Sequence, residues 1–136
     1  MALILPCLYS ELEGPALRGI LEELSKVPYL SKIVIGLDRA DESQYRHALE
    51  YFSVLPQPHA VLWNDGPRLQ SLMQAMRSKE LAPDQLGKGC NVWTCFGFLL
   101  SPDAPVSVAL HDCDILTYDS SMLARLLYPL AHPTFN

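Results

Sequence analysis

The segment His111-Asp112-Cys113-Asp114 places two carboxylates at alternate positions directly after an apolar run, Val106 to Leu110. Two carboxylates at the end of a buried strand each need a partner or a metal, because an unpaired buried charge is costly. A hard divalent cation meets that need. Mg²⁺ or Mn²⁺ prefers carboxylate and phosphate oxygens and is commonly held by one or two carboxylates plus a phosphate group. The competing reading is structural: Asp112 and Asp114 cap the loop and the start of the next helix. The strand in front of them favours the metal.

Gly87-Lys88-Gly89 is the second signal. A cation between glycines at the start of a helix meets phosphate together with backbone N–H groups. The spacing is not that of a P-loop, and the plain alternative is a turn with a solvated lysine. The interval from Lys88 to Asp112 suits one helix and one strand, so that lysine and carboxylates could meet. Glu11 and Asp38 each follow a strand, where a base or a ribose hydroxyl could be hydrogen-bonded; helix capping is the alternative for both. His111 is read as a strand-end residue, while His47, His59 and His132 carry no pattern. Trp63 and Trp93 are read as core rather than as stacking platforms.

These residues need elements to position them. Leu3 to Leu8 reads as a first strand, Lys32 to Asp38 as a second, His59 to Trp63 as a third and Val106 to Leu110 as a fourth. Between them lie helical patterns. Gly14-Pro15 opens a helix through Leu17, Ile20, Leu21 and Leu24. Asp41 caps a second through Tyr45, Ala48, Leu49 and Phe52. Asn64-Asp65-Gly66-Pro67 starts a third with Leu69, Leu72, Met73 and Met76 on one face. After Gly87-Lys88-Gly89 a fourth is expected to turn Val92, Trp93, Phe96, Leu99 and Leu100 inward, and a last helix covers about Ser120 to Leu130. The alternation predicts an α/β, Rossmann-like, mainly parallel sheet with helices on both faces. In such sheets the ligand lies beyond the carboxyl ends of the strands. The residues that follow the four strands are Tyr9-Ser10-Glu11, Asp38-Arg39-Ala40-Asp41, Asn64-Asp65 and His111-Asp112-Cys113-Asp114. Polar and mostly acidic groups are thereby expected on one rim.

The chain of 136 residues suits a single domain, expected to span 1–136. Its composition is 49% hydrophobic, which argues against disorder. A net charge of −5 without a basic run argues against a nucleic-acid partner. No apolar run approaches the ~18 residues of a membrane span. The spacing of Cys7, Cys90, Cys95 and Cys113 fits neither a redox pair nor a zinc knuckle, so they are read as reduced, buried thiols of a cytoplasmic protein.

The order Leu-Pro-Cys-Leu-Tyr-Ser-Glu, then Gly-Lys-Gly, then a strand ending Asp-Cys-Asp resembles the GT-A glycosyltransferases, and within them the glucosyl-3-phosphoglycerate synthase group. In that group the first strand ends in a Pro-Ala-Leu-Asn-Glu-Glu type sequence, a Gly-Lys-Gly begins a helix with a following Trp, and an Asp-x-Asp (DxD) closes the fourth strand. Lys88 and Trp93, then Asp112 and Asp114, match these. The resemblance implies transfer of a sugar from a UDP- or GDP-sugar, metal-assisted and retaining, to a small acceptor such as 3-phosphoglycerate. It implies that Pro6, Leu8 and Glu11 border the base, that Asp38 lies near base or ribose, that Lys88 contacts the nucleotide, that Asp112 touches ribose or sugar, and that Asp114 holds the metal. Tyr9-Ser10 stands where Asn-Glu is usual, and Asp38-Arg39-Ala40-Asp41 stands where Asp-x-Gly-Ser-Thr is usual.

Family members continue well beyond the position of Asn136, through an acceptor loop and a distal His metal ligand. The chain is thus expected to be a truncated, nucleotide-binding half. The alternative is a shortened, non-catalytic nucleotide-binding module. A homo-oligomer is expected in either case, since faces that a further subdomain would cover favour self-association. A receiver-like signalling domain is the third reading and the weakest, because its acidic pair would follow the first strand.

Overall fold

The computed structural model describes residues 1–100 and 107–135. Four strands, β1 (Ala2–Leu8), β2 (Lys32–Asp38), β3 (His59–Trp63) and β4 (Val108–Leu110), form one sheet in the order β3-β2-β1-β4. Every pairing is parallel. Helices α1 (Pro15–Leu24), α2 (Glu42–Phe52), α3 (Pro67–Arg77), α4 (Lys88–Leu99) and α5 (Ser120–Ala131) intervene, with a 3₁₀ turn over Tyr9–Glu13. The expected α/β, Rossmann-like architecture is the observed one. No helix among the described residues is long and apolar enough to cross a membrane.

The central strand is buried along its length because both of its faces are covered, which explains its unbroken apolar sequence. Successive side chains of a strand point to opposite faces. Leu3, Leu5 and Cys7, with Ile33, Ile35 and Leu37 of β2, enter a core with Leu17, Ile20 and Leu24 of α1, Phe52 of α2 and Leu123 of α5. Ala2 and Ile4, with Val34, face the other way and meet Cys95 and Leu99 of α4.

Pro6 sits in the central strand, where a missing N–H should break the ladder. The register explains why it does not. Ala2 donates its N–H across to Ser107 O at 2.9 Å, on the β4 side. Pro6 has the same parity as Ala2, but pairing with β4 ends at Ile4. The absent donor therefore falls where β1 and β4 have already parted. This is also where the strand order reverses, so the gap lies at the topological switch point of the sheet.

Two expectations about elements are corrected. In α4 the buried residues are Asn91, Thr94, Cys95 and Leu99, whereas Val92 and Trp93 are only partly covered and Phe96 and Leu100 are exposed. The helix lies so close to β2 that its inward stripe must be small and polar: Asn91 Nδ2 donates to Gly36 O at 2.7 Å. In α3 only Met73 is buried, and Leu72 is exposed. The fourth strand is described from Val108, and the proposed start at Val106 lies outside the described residues. The cap of α2 is as expected, with the Asp41 carboxylate accepting from Gln44 N–H at 2.8 Å.

A Cβ added at Gly36 would lie 1.9 Å from Asn91 Oδ1 and 2.7 Å from Cys95 Sγ. Gly36→Ala is therefore expected to push α4 off the sheet and destabilise the chain by about 1–3 kcal/mol, the usual cost of overpacking. Urea unfolding should show a lower midpoint at unchanged slope. An unchanged midpoint would mean that α4 does not rest on β2 as closely as described.

Candidate functional site

Every strand contributes its following residues to one pocket of about 560 Å³ at the carboxyl edge of the sheet. β1 supplies Pro6, Cys7, Leu8 and Glu11; β2 supplies Asp38 and Arg39; β3 supplies Asn64 and Asp65. Asp112, Cys113 and Asp114 follow β4, and Lys88 comes from the start of α4. All seven residues singled out in the sequence, Pro6, Leu8, Glu11, Asp38, Lys88, Asp112 and Asp114, line this pocket.

Their surroundings differ. Glu11 is held by its own turn, its Oε2 accepting from Leu8 N–H at 2.8 Å. Asp38 Oδ1 accepts from Asn64 Nδ2 at 2.6 Å, and Asp65 Oδ2 accepts from Ala40 N–H at 3.1 Å. Both bonds tie the loop after β2 to the loop after β3. Arg39, between them, has left-handed backbone at φ 57°, a conformation that costs a non-glycine residue energy and that clusters at ligand sites.

Lys88 Nζ donates to Asp112 Oδ1, so the lysine and the carboxylate that lie on separate elements do meet. With 57% and 47% of the two side chains exposed, the pair is solvated and contributes little to stability. Its use is positional: it holds a cation over the pocket without burying it. Gly87, the residue before α4, has φ 121°, a backbone that favours glycine, and no side chain caps the first N–H groups of the helix. No acidic residue occupies the first turn of α4, leaving that helix end open to an anion.

Asp114 is exposed and, among the described residues, has no hydrogen bond or ion pair. It does not cap the next helix. That role belongs to Asp119, whose carboxylate accepts from Ser121 N–H at 2.7 Å. Asp112 and Asp114 thus offer two oxygen ligands on the pocket wall, a set that fits Mg²⁺ or Mn²⁺ only when phosphate oxygens and water complete it.

His111 is buried and its Nδ1 lies 2.9 Å from Tyr118 Oη. Burial lowers its pKa, with the Asp112 charge pulling the other way. It is a strand-end residue locked to the α5 side. Trp63 is partly buried, stacks on Tyr45 with ring centroids 5.0 Å apart and donates Nε1–H to Ala40 O at 2.7 Å; it braces the rim rather than presenting a free face.

Of the four cysteines expected to be buried, Cys7, Cys95 and Cys113 are, whereas Cys90 is only partly covered. Cys7 and Cys113 are both buried and converge with Glu11 beneath the pocket. The hydrogen bond with Cys113, then burial, pushes the Cys7 thiol far above its ordinary range. Adjacent strands bring these side chains together, and only the β1–β4 pairing, not spacing along the chain, carries that information.

No family model matches the chain. It is 43% identical over 136 residues to the glucosyl-3-phosphoglycerate synthase of Persephonella marina, covering 100% of this chain and 34% of that protein. It is 39% identical over 136 residues to the glucosyl-3-phosphoglycerate synthase of Methanococcoides burtonii, covering 99% of this chain and 33% of that protein. The chain therefore spans about a third of the length of the relatives it matches. The likeness to the glucosyl-3-phosphoglycerate synthase group of GT-A glycosyltransferases runs along the whole of this chain.

Proposed function

We propose that this chain binds the nucleoside-diphosphate end of a nucleotide sugar, and that it supplies the donor side of a glycosyl transfer to a small acceptor such as 3-phosphoglycerate. The observation that carries the reading is the meeting of Lys88, Asp112 and Asp114 around one pocket at the switch point of a parallel sheet. The printed name of both relatives supplies the sugar and the acceptor.

The chemistry follows from the charges. Departure of a nucleoside diphosphate from an anomeric carbon leaves negative charge on phosphate and oxocarbenium character on the sugar. Lys88, already poised at the rim, would exchange its Asp112 partner for a phosphate oxygen, with the N-terminal N–H groups of α4 beside it. Asp114, with Asp112 next to it, would hold Mg²⁺ or Mn²⁺. When bound, such an ion neutralises charge on the leaving diphosphate. Asp112, once released from Lys88, would accept from a hydroxyl of ribose or sugar. Pro6 and Leu8 would offer the base an apolar wall, and Glu11 and Asp38 would accept from base or ribose donors. Retention of anomeric configuration is part of the proposal by likeness to the family.

A non-catalytic nucleotide-binding module uses the same pocket and the same residues. The two readings separate in an assay of sugar transfer with 3-phosphoglycerate as acceptor, where the module reading predicts binding without turnover.

Lys88→Ala is expected to weaken nucleoside-diphosphate binding by one to two decades, since a charge-assisted contact to phosphate contributes about 1.5–3 kcal/mol. The corresponding nucleoside should bind almost unchanged, and calorimetric titration of both ligands reads the difference. Equal losses for the two would place Lys88 at the base or in the fold.

Asp114→Asn keeps the side-chain shape and removes the anionic ligand. Metal and diphosphate each supply charge that the other lacks, so their binding should be positively and reciprocally coupled in the wild type. The substitution should erase the Mn²⁺-dependent part of nucleotide affinity and leave thermal stability unchanged, because Asp119, not Asp114, caps α5. Titration with and without Mn²⁺ measures it, and equal enhancement in both proteins would remove Asp114 from the site.

A further inference from the structure

We propose that Cys7, Glu11 and Cys113 form a second cation site, specific for thiophilic divalent ions of the Zn²⁺ class and separate from the Asp112–Asp114 pair. One ligand atom from each of the three residues lies within 4.8 Å of the other two. Two sulfurs bound to one tetrahedral zinc at ~2.3 Å stand about 3.7 Å apart, a separation that falls inside this span. Among the described residues this is the group of three or more potential ligands so arranged, and it excludes Asp112 and Asp114.

The scaffold holds each ligand independently. Cys7 is on β1, buried between α-helical core and pocket, with 2% of its surface exposed. Cys113 follows β4, the strand paired with β1, and is 1% exposed. Glu11 comes from the 3₁₀ turn that follows β1. Its Oε2 already accepts from Leu8 N–H, which orients the carboxylate and leaves Oε1 for an ion. All three residues line the pocket, so the fourth position of a tetrahedral ion would face the pocket space. Three protein ligands with one open position is the arrangement of reactive or exchangeable zinc rather than of closed structural zinc.

The donor set decides the ion. Two thiols and one carboxylate select a soft or borderline cation, whereas Mg²⁺ takes oxygen ligands in octahedral geometry. Binding breaks two S–H bonds, forms two metal–sulfur bonds and releases two protons to solvent, with no change of oxidation state. Asp112 and Asp114 lack sulfur and serve hard cations with phosphate, so the two sites sort ions by chemistry within one pocket.

The test uses the 136-residue chain under reducing conditions, with Co²⁺ as the spectroscopic probe. One Co²⁺ per chain should bind with thiolate-to-cobalt charge-transfer absorption of two-thiolate intensity, and Zn²⁺ should abolish the band by displacement. A hundredfold excess of Mg²⁺ should not. Cys7→Ser and Cys113→Ser should each lower the band and weaken Co²⁺ binding at least tenfold, Glu11→Gln should weaken it with the band retained, and Cys90→Ser should change nothing. Absence of the band in the wild type, its displacement by Mg²⁺, or its dependence on Cys90 would overturn the proposal. The wild-type spectrum and the Mg²⁺ competition decide the matter even where a buried cysteine variant fails to fold.

Discussion

The seating of α4 on β2 governs the geometry of the pocket. One side-chain bond, from Asn91 to the carbonyl of Gly36, and the absence of a Cβ at Gly36 let the helix lie directly on the strand. The bond satisfies a buried amide donor that would otherwise be costly. It sits one turn into the helix, so it fixes the helix start, where Gly87 and Lys88 lie. That start faces the end of β4, and the meeting of Lys88 with Asp112 follows from it. A larger residue at Gly36 would tilt the helix and move the lysine and the open helix end together, since both belong to the same turn.

The second constraint is the parting of β1 and β4. Parallel pairing ends at Ile4, and Pro6 has no N–H with which to extend it. An all-parallel sheet has no other break at this edge, because β1 and β2 pair along their full length to Leu8 and Asp38. The crevice therefore opens between the strand carrying Pro6 and Leu8 and the strand leading to Asp112. The rim around it carries carboxylates that are mostly committed: Glu11 to Leu8 N–H, Asp38 to Asn64, Asp65 to Ala40 and Asp112 to Lys88. Asp114 remains without a partner among the described residues, so both of its oxygens are open to a ligand.

Much of this was legible in the residues. β2 and β3 have the bounds that their β-branched and aromatic runs predict, and Asp41 caps α2 as its position before the helix suggests. The convergence of the residues after the four strands follows from parallel topology alone. The inward face of α4 was not legible. Hydrophobic periodicity assigns Trp93 and Phe96 to the core, because it counts apolar area and is blind to the distance between helix and strand. A helix that lies very close to a strand selects small and hydrogen-bonding residues, and Asn91, Thr94 and Cys95 obey that rule. The 3₁₀ turn over Tyr9–Glu13 was also missed, since short turns of this kind have little sequence signature.

The cysteines show the same limit more sharply. Read along the chain, Cys7 and Cys113 are separated by almost the whole fold, and no spacing rule connects them. Read across the sheet, Cys7 lies on β1 and Cys113 follows the neighbouring β4, and both enter the same core beneath the pocket. A buried thiol is ordinarily a small hydrophobe. Two of them beside a carboxylate that is already oriented by a backbone N–H are harder to explain by packing, because apolar residues of similar volume would fill the space without placing a carboxylate against sulfur. Contact between parallel strands thus creates the soft ligand set, whereas the hard one at Asp112 and Asp114 is written in sequence proximity. Both sets lie where β1 and β4 diverge, and the divergence exposes each to the same pocket.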